Sequence, residues 1–198
     1  MKLVLASANR GKLKEFAVLF ADLPWTLVPQ RELGVAEVAE TGLTFVENAL
    51  IKARHASAAT GLPALADDSG LIVDALDGAP GLYSARYAGT PTDDAANNAK
   101  LLAALAEVPD ERRTARFYAV IVLLRHPADP QPLIAEGSWE GVIGRAPRGD
   151  GGFGYNPVFF DPRAGLTAAE MDAATKNRLS HRGQALARLR QALARLPA

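Results

Sequence analysis

An α/β fold built around a mixed β-sheet is the architecture this sequence predicts, and three patterns predict it. Short apolar runs alternate with stretches of helical spacing, as where KLVLA (2–6) is followed by Leu13, Phe16, Ala17, Leu19 and Phe20. TARFYAVIVLLR (114–125) is the strongest strand signal in the chain. PLIAEGSWEGVIG (132–144) follows it after a proline-rich connection, so the two are expected to pair as an antiparallel hairpin. With 198 residues and no repeat, linker or low-complexity tract, the expectation is a single domain over residues 1–198.

In chain order, KLVLA reads as a strand, SANRG as a polar loop and the residues after it as a helix. Trp25 to Val28 form a second short strand, and Pro29 and Gly34 punctuate the loop that runs to Glu40. Thr44 to about Thr60 is helical: Thr44 and Glu47 have the spacing of a capping box, and Gly61 and Pro63 end the helix. LPALADDSGLIVDAL (62–76) reads as an apolar strand, a polar turn and a second apolar run, which places Asp67 and Asp68 at a strand terminus. Residues 78–90, GAPGLYSARYAGT, carry too many Gly and Pro for regular structure, whereas Thr92 to about Glu107 reads as a capped helix with an acidic first turn. GDGGFGYNPVFF (149–160) is a glycine-rich loop entering a short strand. The closing SHRGQALARLRQALARL is an amphipathic helix with Ser180 as its N-cap.

Composition excludes several function classes. Lys plus Arg and Asp plus Glu both number 22, so no basic excess is available to hold a polyanion, and a nucleic-acid partner is not expected. The absence of cysteine removes disulfides, thiol nucleophiles and Cys-ligated metals, so any metal must sit on oxygen or histidine. The apolar part of MKLVLASANRGK is too short for a signal peptide and no apolar run approaches a membrane span, which makes the cytoplasm the expected location and a membrane partner unexpected.

Four groups of residues can carry chemistry. Ser7, Ala8, Asn9, Arg10, Gly11 and Lys12 lie between a strand and a helix N-terminus, where backbone N–H groups and the helix dipole can receive phosphate; a plain connecting loop has the same composition. This is not a Walker A loop, because Ala6 stands five before Gly11 and Leu13 follows Lys12. Glu40, Glu47, Asp67 and Asp68 supply carboxylates, and two of them suffice for a magnesium ion (Mg2+) that also binds phosphate oxygens and water. Adjacent side chains in an extended segment point to opposite sides, so Asp67 and Asp68 should not share one metal equally; a turn capped by Ser69 and Gly70 is the other reading of the same residues.

Gly149, Gly151 and Gly154 formally spell GxGxxG, but Tyr155, Asn156, Pro157 and an apolar run follow where a dinucleotide fold needs a helix. What remains is a flexible backbone beside Phe153 and Tyr155, suited to covering a planar base or to an ordinary turn with core aromatics. Lys176, His181 and Arg182 cluster near Asn177 and Ser180 and suit a phosphate or a base carbonyl, although His181 taken alone reads first as a structural residue at a helix start. His55 and His126 lack metal-ligand spacing and receive no role.

Taken together, SANRGKLKE, AETGLTFVENALIKA, ADDSGL, GAPGLYSARYAG, ARFYAVIVLLR, GGFGYNPVFF and KNRLSHRGQAL, in this order, resemble the inosine/xanthosine triphosphate pyrophosphatase family. The resemblance implies an elongated mixed-sheet fold with a central substrate cleft and, as a partner, a second copy of the chain in a homodimer. It implies hydrolysis of XTP, ITP and dITP to the monophosphate and pyrophosphate, by water attack at the α-phosphorus with magnesium. Residue by residue, it implies Asp68 as general base and metal ligand and Glu40 as the other metal ligand. Ser7 to Lys12 and Lys52 become phosphate-side contacts. Ser69, Phe153, Gly154, Tyr155, Asn156, Lys176, His181 and Arg182 become the remaining substrate contacts, with Phe153 stacking on the base. The family's usual GYDP is GYNP here, so Asn156 loses a charge at that position. Asp67 is left with a structural role. A nucleotide sensor without turnover and a single-strand nucleic-acid binder using Phe153, Tyr155 and Arg182 are the competing readings, the last weakened by zero net charge.

Overall fold

The computed structural model describes residues 2–194. Its seven-stranded sheet has the order β2-β1-β3-β4-β5-β6-β7, with β1 Lys2–Leu5, β2 Thr26–Pro29, β3 Ala64–Val73, β4 Thr114–Leu124, β5 Leu133–Ile143, β6 Phe159–Asp161 and β7 Leu166–Thr167. β1 pairs in parallel with both β2 and β3, while β6 is antiparallel to both β5 and β7, so the sheet is mixed as expected. β4 and β5 are neighbours, as the hairpin reading required.

The helices follow their local signals closely. α1 (Arg10–Leu19) begins inside the SANRGK segment, where Asn9 accepts the Lys12 N–H as its N-cap. In α2 (Phe45–Thr60) the capping box is complete: Thr44 Oγ1 accepts the Glu47 N–H, and Glu47 Oε2 accepts from Thr44 Oγ1 and from the Leu43 N–H. Gly61 closes α2 in the left-handed conformation (φ 68°) that glycine adopts without strain. α3 (Asp94–Ala104) is capped by Asp93 and is shorter than Thr92 to Glu107.

One expectation is corrected, and one helix had no sequence reading. β3 runs unbroken through ADDSGL, so Asp67 and Asp68 sit in the middle of a ten-residue strand and not at a terminus or in a turn. The turn propensity of Asp, Ser and Gly is overridden because β3 lies between β1 and β4 in the sheet. Residues 173–179 form a separate helix, α4 (Ala173–Leu179), capped by Asp172, so Lys176 lies in α4 and Ser180 alone separates it from α5 (His181–Leu193). Arg195 and Leu196, included in the closing-helix reading, lie outside the described residues.

The chain divides into two compact units. The first comprises Met1–Asp68, Ala119–Gly137 and Arg182–Ala198; the second comprises Ser69–Tyr118 and Ser138–His181. In the first, Leu3 and Leu5 of β1, Phe16 of α1 and Phe20 at its C-cap, Leu65 of β3, Ile121 and Leu123 of β4 and the Ala185, Leu186, Leu189 face of α5 make one apolar core. In the second, Leu71 and Val73, Leu101 of α3 and Leu105 at its C-cap, Phe117, Trp139 and Phe159 make another, with Tyr155 packed into it. Trp139 satisfies its buried indole N–H by donating to Asp161 at 2.8 Å. Among the described residues no helix is long and apolar enough to cross a membrane.

Candidate active site

The alternation of a strand separates the two adjacent aspartates. Both carboxylates belong to the middle of β3, and each meets a different set of cations in the first unit. Lys52 Nζ donates to Asp68 Oδ1 at 2.7 Å, to Glu40 Oε1 at 2.7 Å and to the Asp67 carbonyl at 2.9 Å. α2 carries this lysine, and the capping box at Thr44 and Glu47 fixes where that helix begins. Burial pushes the Asp68 carboxyl above its ordinary value, against the pull of Lys52 and Lys12 in the opposite direction. Burial opposes the charge on Lys52 as well, but the Asp68 and Glu40 carboxylates outweigh it and raise the ammonium.

On the other face, Asp67 is fully buried between Lys12 Nζ at 2.6 Å and the Arg182 guanidinium at 3.2 Å. Arg182 also pairs with Glu15 of α1. Burial alone would raise the Asp67 carboxyl; Arg182 and Lys12 overcome this and hold it far below the usual carboxylate range. Lys12 is lowered by its own burial, with Asp67 as the largest opposing influence. Asp67 thus orders two side chains, one from α1 and one from α5, and its structural role consists of this cluster. Glu15 had no local sequence signal, because its partner lies 167 residues away.

Of the six loop residues Ser7 to Lys12, Ser7 is half-buried and follows β1, Ala8 and Asn9 are exposed, and Arg10, Gly11 and Lys12 form the first turn of α1. The leading N–H groups of a helix lack intrahelical partners, which gives this turn the capacity to receive an anion.

The second unit holds the remaining candidates. Phe153 is half-buried in the glycine-rich loop, and Lys176 Nζ stands 5.5 Å from its ring centroid. Gly152, at φ 82°, is closely approached: a Cβ there would lie 2.0 Å from Asn156 Nδ2 and 3.0 Å from Lys176 Nζ. Asn156 is buried, and its Nδ2 has no hydrogen-bond acceptor among the described residues. Tyr155 is committed to the core, its hydroxyl donating to the Ser84 carbonyl at 2.7 Å, so Phe153 is the ring of the pair left accessible. His181 is buried and stacks on Phe117 at 5.0 Å between centroids. Ser69 follows Asp68 directly in β3 and opens the second unit. β6 follows the glycine-rich loop, which bears out the rejection of a dinucleotide fingerprint.

The model of the Ham1 family matches residues 3–192. The chain belongs to the Ham1 family. Among its Ham1-family relatives it is 77% identical over 192 residues to the dITP/XTP pyrophosphatase of Xanthomonas axonopodis pv. citri (strain 306), covering 97% of this chain and 96% of that protein. It is 58% identical to the dITP/XTP pyrophosphatase of Shigella flexneri, covering 97% and 98% of the two chains. Among solved structures, a HAM1 protein from Coxiella burnetii superposes with a TM-score of 0.91 at 52% identity over 99% of this chain and all of that one. The Staphylococcus aureus Ham1 protein superposes with a TM-score of 0.87 at 39% identity, over 98% of each chain.

No group of three or more His, Cys, Asp or Glu side chains that could hold a metal ion occurs among the described residues. Glu40 and Asp68 nevertheless converge on one cation, the Lys52 ammonium, and the trio carries one excess negative charge. A pair of carboxylates completed by phosphate oxygens and water fits magnesium, so the residues present fit the ion the family resemblance implies.

Proposed function

We propose that this chain hydrolyses the non-canonical purine nucleoside triphosphates XTP, ITP and dITP to the monophosphate and pyrophosphate, removing deaminated purines from the nucleotide pool. The observation that carries the chemistry is the convergence of Glu40 and Asp68 on one cation position, with Asp68 raised by burial. A carboxylate whose pKa is raised toward the working pH is a better general base than an exposed one. In the proposed reaction Asp68 takes a proton from water as the water oxygen bonds to the α-phosphorus, and the bond from that phosphorus to the β-phosphate oxygen breaks, releasing pyrophosphate. Glu40 and Asp68 would hold a magnesium ion, which when bound would neutralise phosphate oxygens. Lys52 adds a positive charge between the two carboxylates, and Lys12, ordered by Asp67, adds a second beside the first turn of α1.

Base selection rests on the second unit. Hypoxanthine and xanthine carry a carbonyl at C6 where adenine carries an amino group. The unpaired Nδ2 donor of Asn156, and Lys176 over Phe153, suit a carbonyl and leave an amino group without an acceptor. Asn156 in place of the family's aspartate therefore offers a donor where a carboxylate offers none. The proposal includes the homodimer and the cytoplasmic location implied by the resemblance and composition; light scattering on the purified chain checks the first.

Pyrophosphate release from ITP in magnesium, measured for the protein and for Asp68→Asn, tests the reading. Turnover should fall by at least about 100-fold in the variant, the scale of a lost general base. Undiminished turnover removes Asp68 from that role, and tight ITP binding without any turnover in the unmodified protein supports the sensor reading instead.

A further inference from the structure

Phe153 can cover a base only if the backbone that carries it is held still, and the glycine-rich loop supplies little packing of its own. Gly154, the next residue, has φ 62°, and a Cβ built on it would meet nothing within 4 Å, so conformation and not space is what calls for glycine there. Both polar groups of this glycine are taken by α3. Asp94 Oδ2 accepts the Gly154 N–H at 2.7 Å, and Asn98 Nδ2 donates to the Gly154 carbonyl at 2.9 Å. Asp94 and Asn98 are four residues apart on one helix and so share a face.

The two bonds fix two peptide planes. The Gly154 N–H belongs to the peptide that leaves Phe153, and the Gly154 carbonyl to the peptide that enters Tyr155, whose ring and hydroxyl are anchored in the core. A cavity of about 470 Å³ lies between α3 and the loop, bordered by Asp94, Asn98, Leu102, Phe153, Gly154 and Pro157. Side-chain packing across it is therefore incomplete, and directional hydrogen bonds set the position of the loop.

We propose that Asp94 and Asn98 are positioning residues that clamp Gly154 and thereby set the Phe153 ring for the purine base. The inference rests on the reading that Phe153 stacks on the base. Asp94 makes the stronger of the two contacts, because its carboxylate gives a charge-assisted bond. An asparagine at position 94 keeps an acceptor oxygen, whereas alanine keeps none.

Steady-state ITP hydrolysis is measured for the protein, Asp94→Ala, Asp94→Asn, Asn98→Ala, Phe153→Ala and the Asp94→Ala/Phe153→Ala double variant. Turnover by the unmodified protein is read first; its absence refutes the pyrophosphatase reading, not the clamp. With turnover present, Asp94→Ala and Asn98→Ala should raise KM about 5- to 10-fold, the value of one hydrogen bond, with kcat within about twofold. Asp94→Asn should restore most of the loss, and in the Phe153→Ala background Asp94→Ala should cost nothing further in kcat/KM. A KM unchanged in Asp94→Ala overturns the proposal, as does an undiminished penalty in the Phe153→Ala background. Hydrogen exchange gives a readout without substrate: the Gly154 amide should lose protection in Asp94→Ala while the amides of β4 keep theirs, and unchanged protection at Gly154 overturns the clamp.

Discussion

Replacing Asp67 by asparagine isolates the buried charge cluster of the first unit without changing its volume. Asp67 has no exposed side-chain surface, while Lys12 and Arg182 have 14% and 3%. Removing one partner of a buried ion pair costs about 3–5 kcal/mol, because the other charge is left uncompensated. Two features place this variant at the lower end. Arg182 keeps Glu15, and Lys12, already lowered by burial, can release its proton and so limit the cost. About 3 kcal/mol is expected at pH 7, which for a chain of this length lowers Tm by roughly 6–12 °C.

The pH dependence carries a second signature of the same residue. The folded-state pKa of Asp67 is depressed, so its stabilisation is fully present above the unfolded value of about 3.9 and is lost as pH falls toward the folded value. Between pH 5 and pH 3 the unmodified protein should lose about 1 kcal/mol that the variant does not, so the gap between them narrows in acid. Denaturant unfolding followed by circular dichroism at both pH values measures this. A difference below about 1 kcal/mol at pH 7, or one that does not shrink at pH 3, would refute the argument that Asp67 holds the cluster as an anion.

Three further outcomes follow from the geometry. Asn156→Ala should lower kcat/KM for ITP by about tenfold and change any use of ATP much less, since on the proposed reading it is a 6-carbonyl that uses the Nδ2 donor; a substrate panel reads the ratio. Gly152→Ala should weaken ITP use by about tenfold or more and lower Tm by a few degrees, because the new Cβ meets Asn156 Nδ2 at 2.0 Å and φ 82° disfavours alanine; parallel kinetics and calorimetry show whether both change. The acid limb of kcat/KM should move to lower pH as magnesium is raised, because burial raises Asp68 in the metal-free protein while a bound cation favours its carboxylate, and activity falls as pH drops and Asp68 is protonated. A limb that persists unchanged in the residual activity of Asp68→Asn assigns it to another group.

The local signals were readable wherever the decisive interaction spans a few residues. Thr44, Glu47 and Gly61 bound α2 because caps are made within one turn, and the apolar run at 114–125 became β4 because its residue types favour a buried strand. The strand rule also separated Asp67 from Asp68 before any partner was known, since alternation is a property of extended backbone alone. Less was readable where two tendencies compete. The DDSG residues favour a turn, and only the neighbours on either side of β3 decide for a strand. α4 has no legible signal of its own, because seven residues after Asp172 are too short for a periodic pattern to stand out.

By itself, then, the sequence determined the α/β class, most of the element order, the family and the chemical types available at the site. Tertiary structure decided which charge meets which. Asp67 and Arg182 are 115 residues apart, Lys52 and Asp68 16, and Asp94 and Gly154 60. Nothing in the local preference of a charged side chain names a partner at such distances; burial does, because an ion taken out of water is stable only beside its counter-charge.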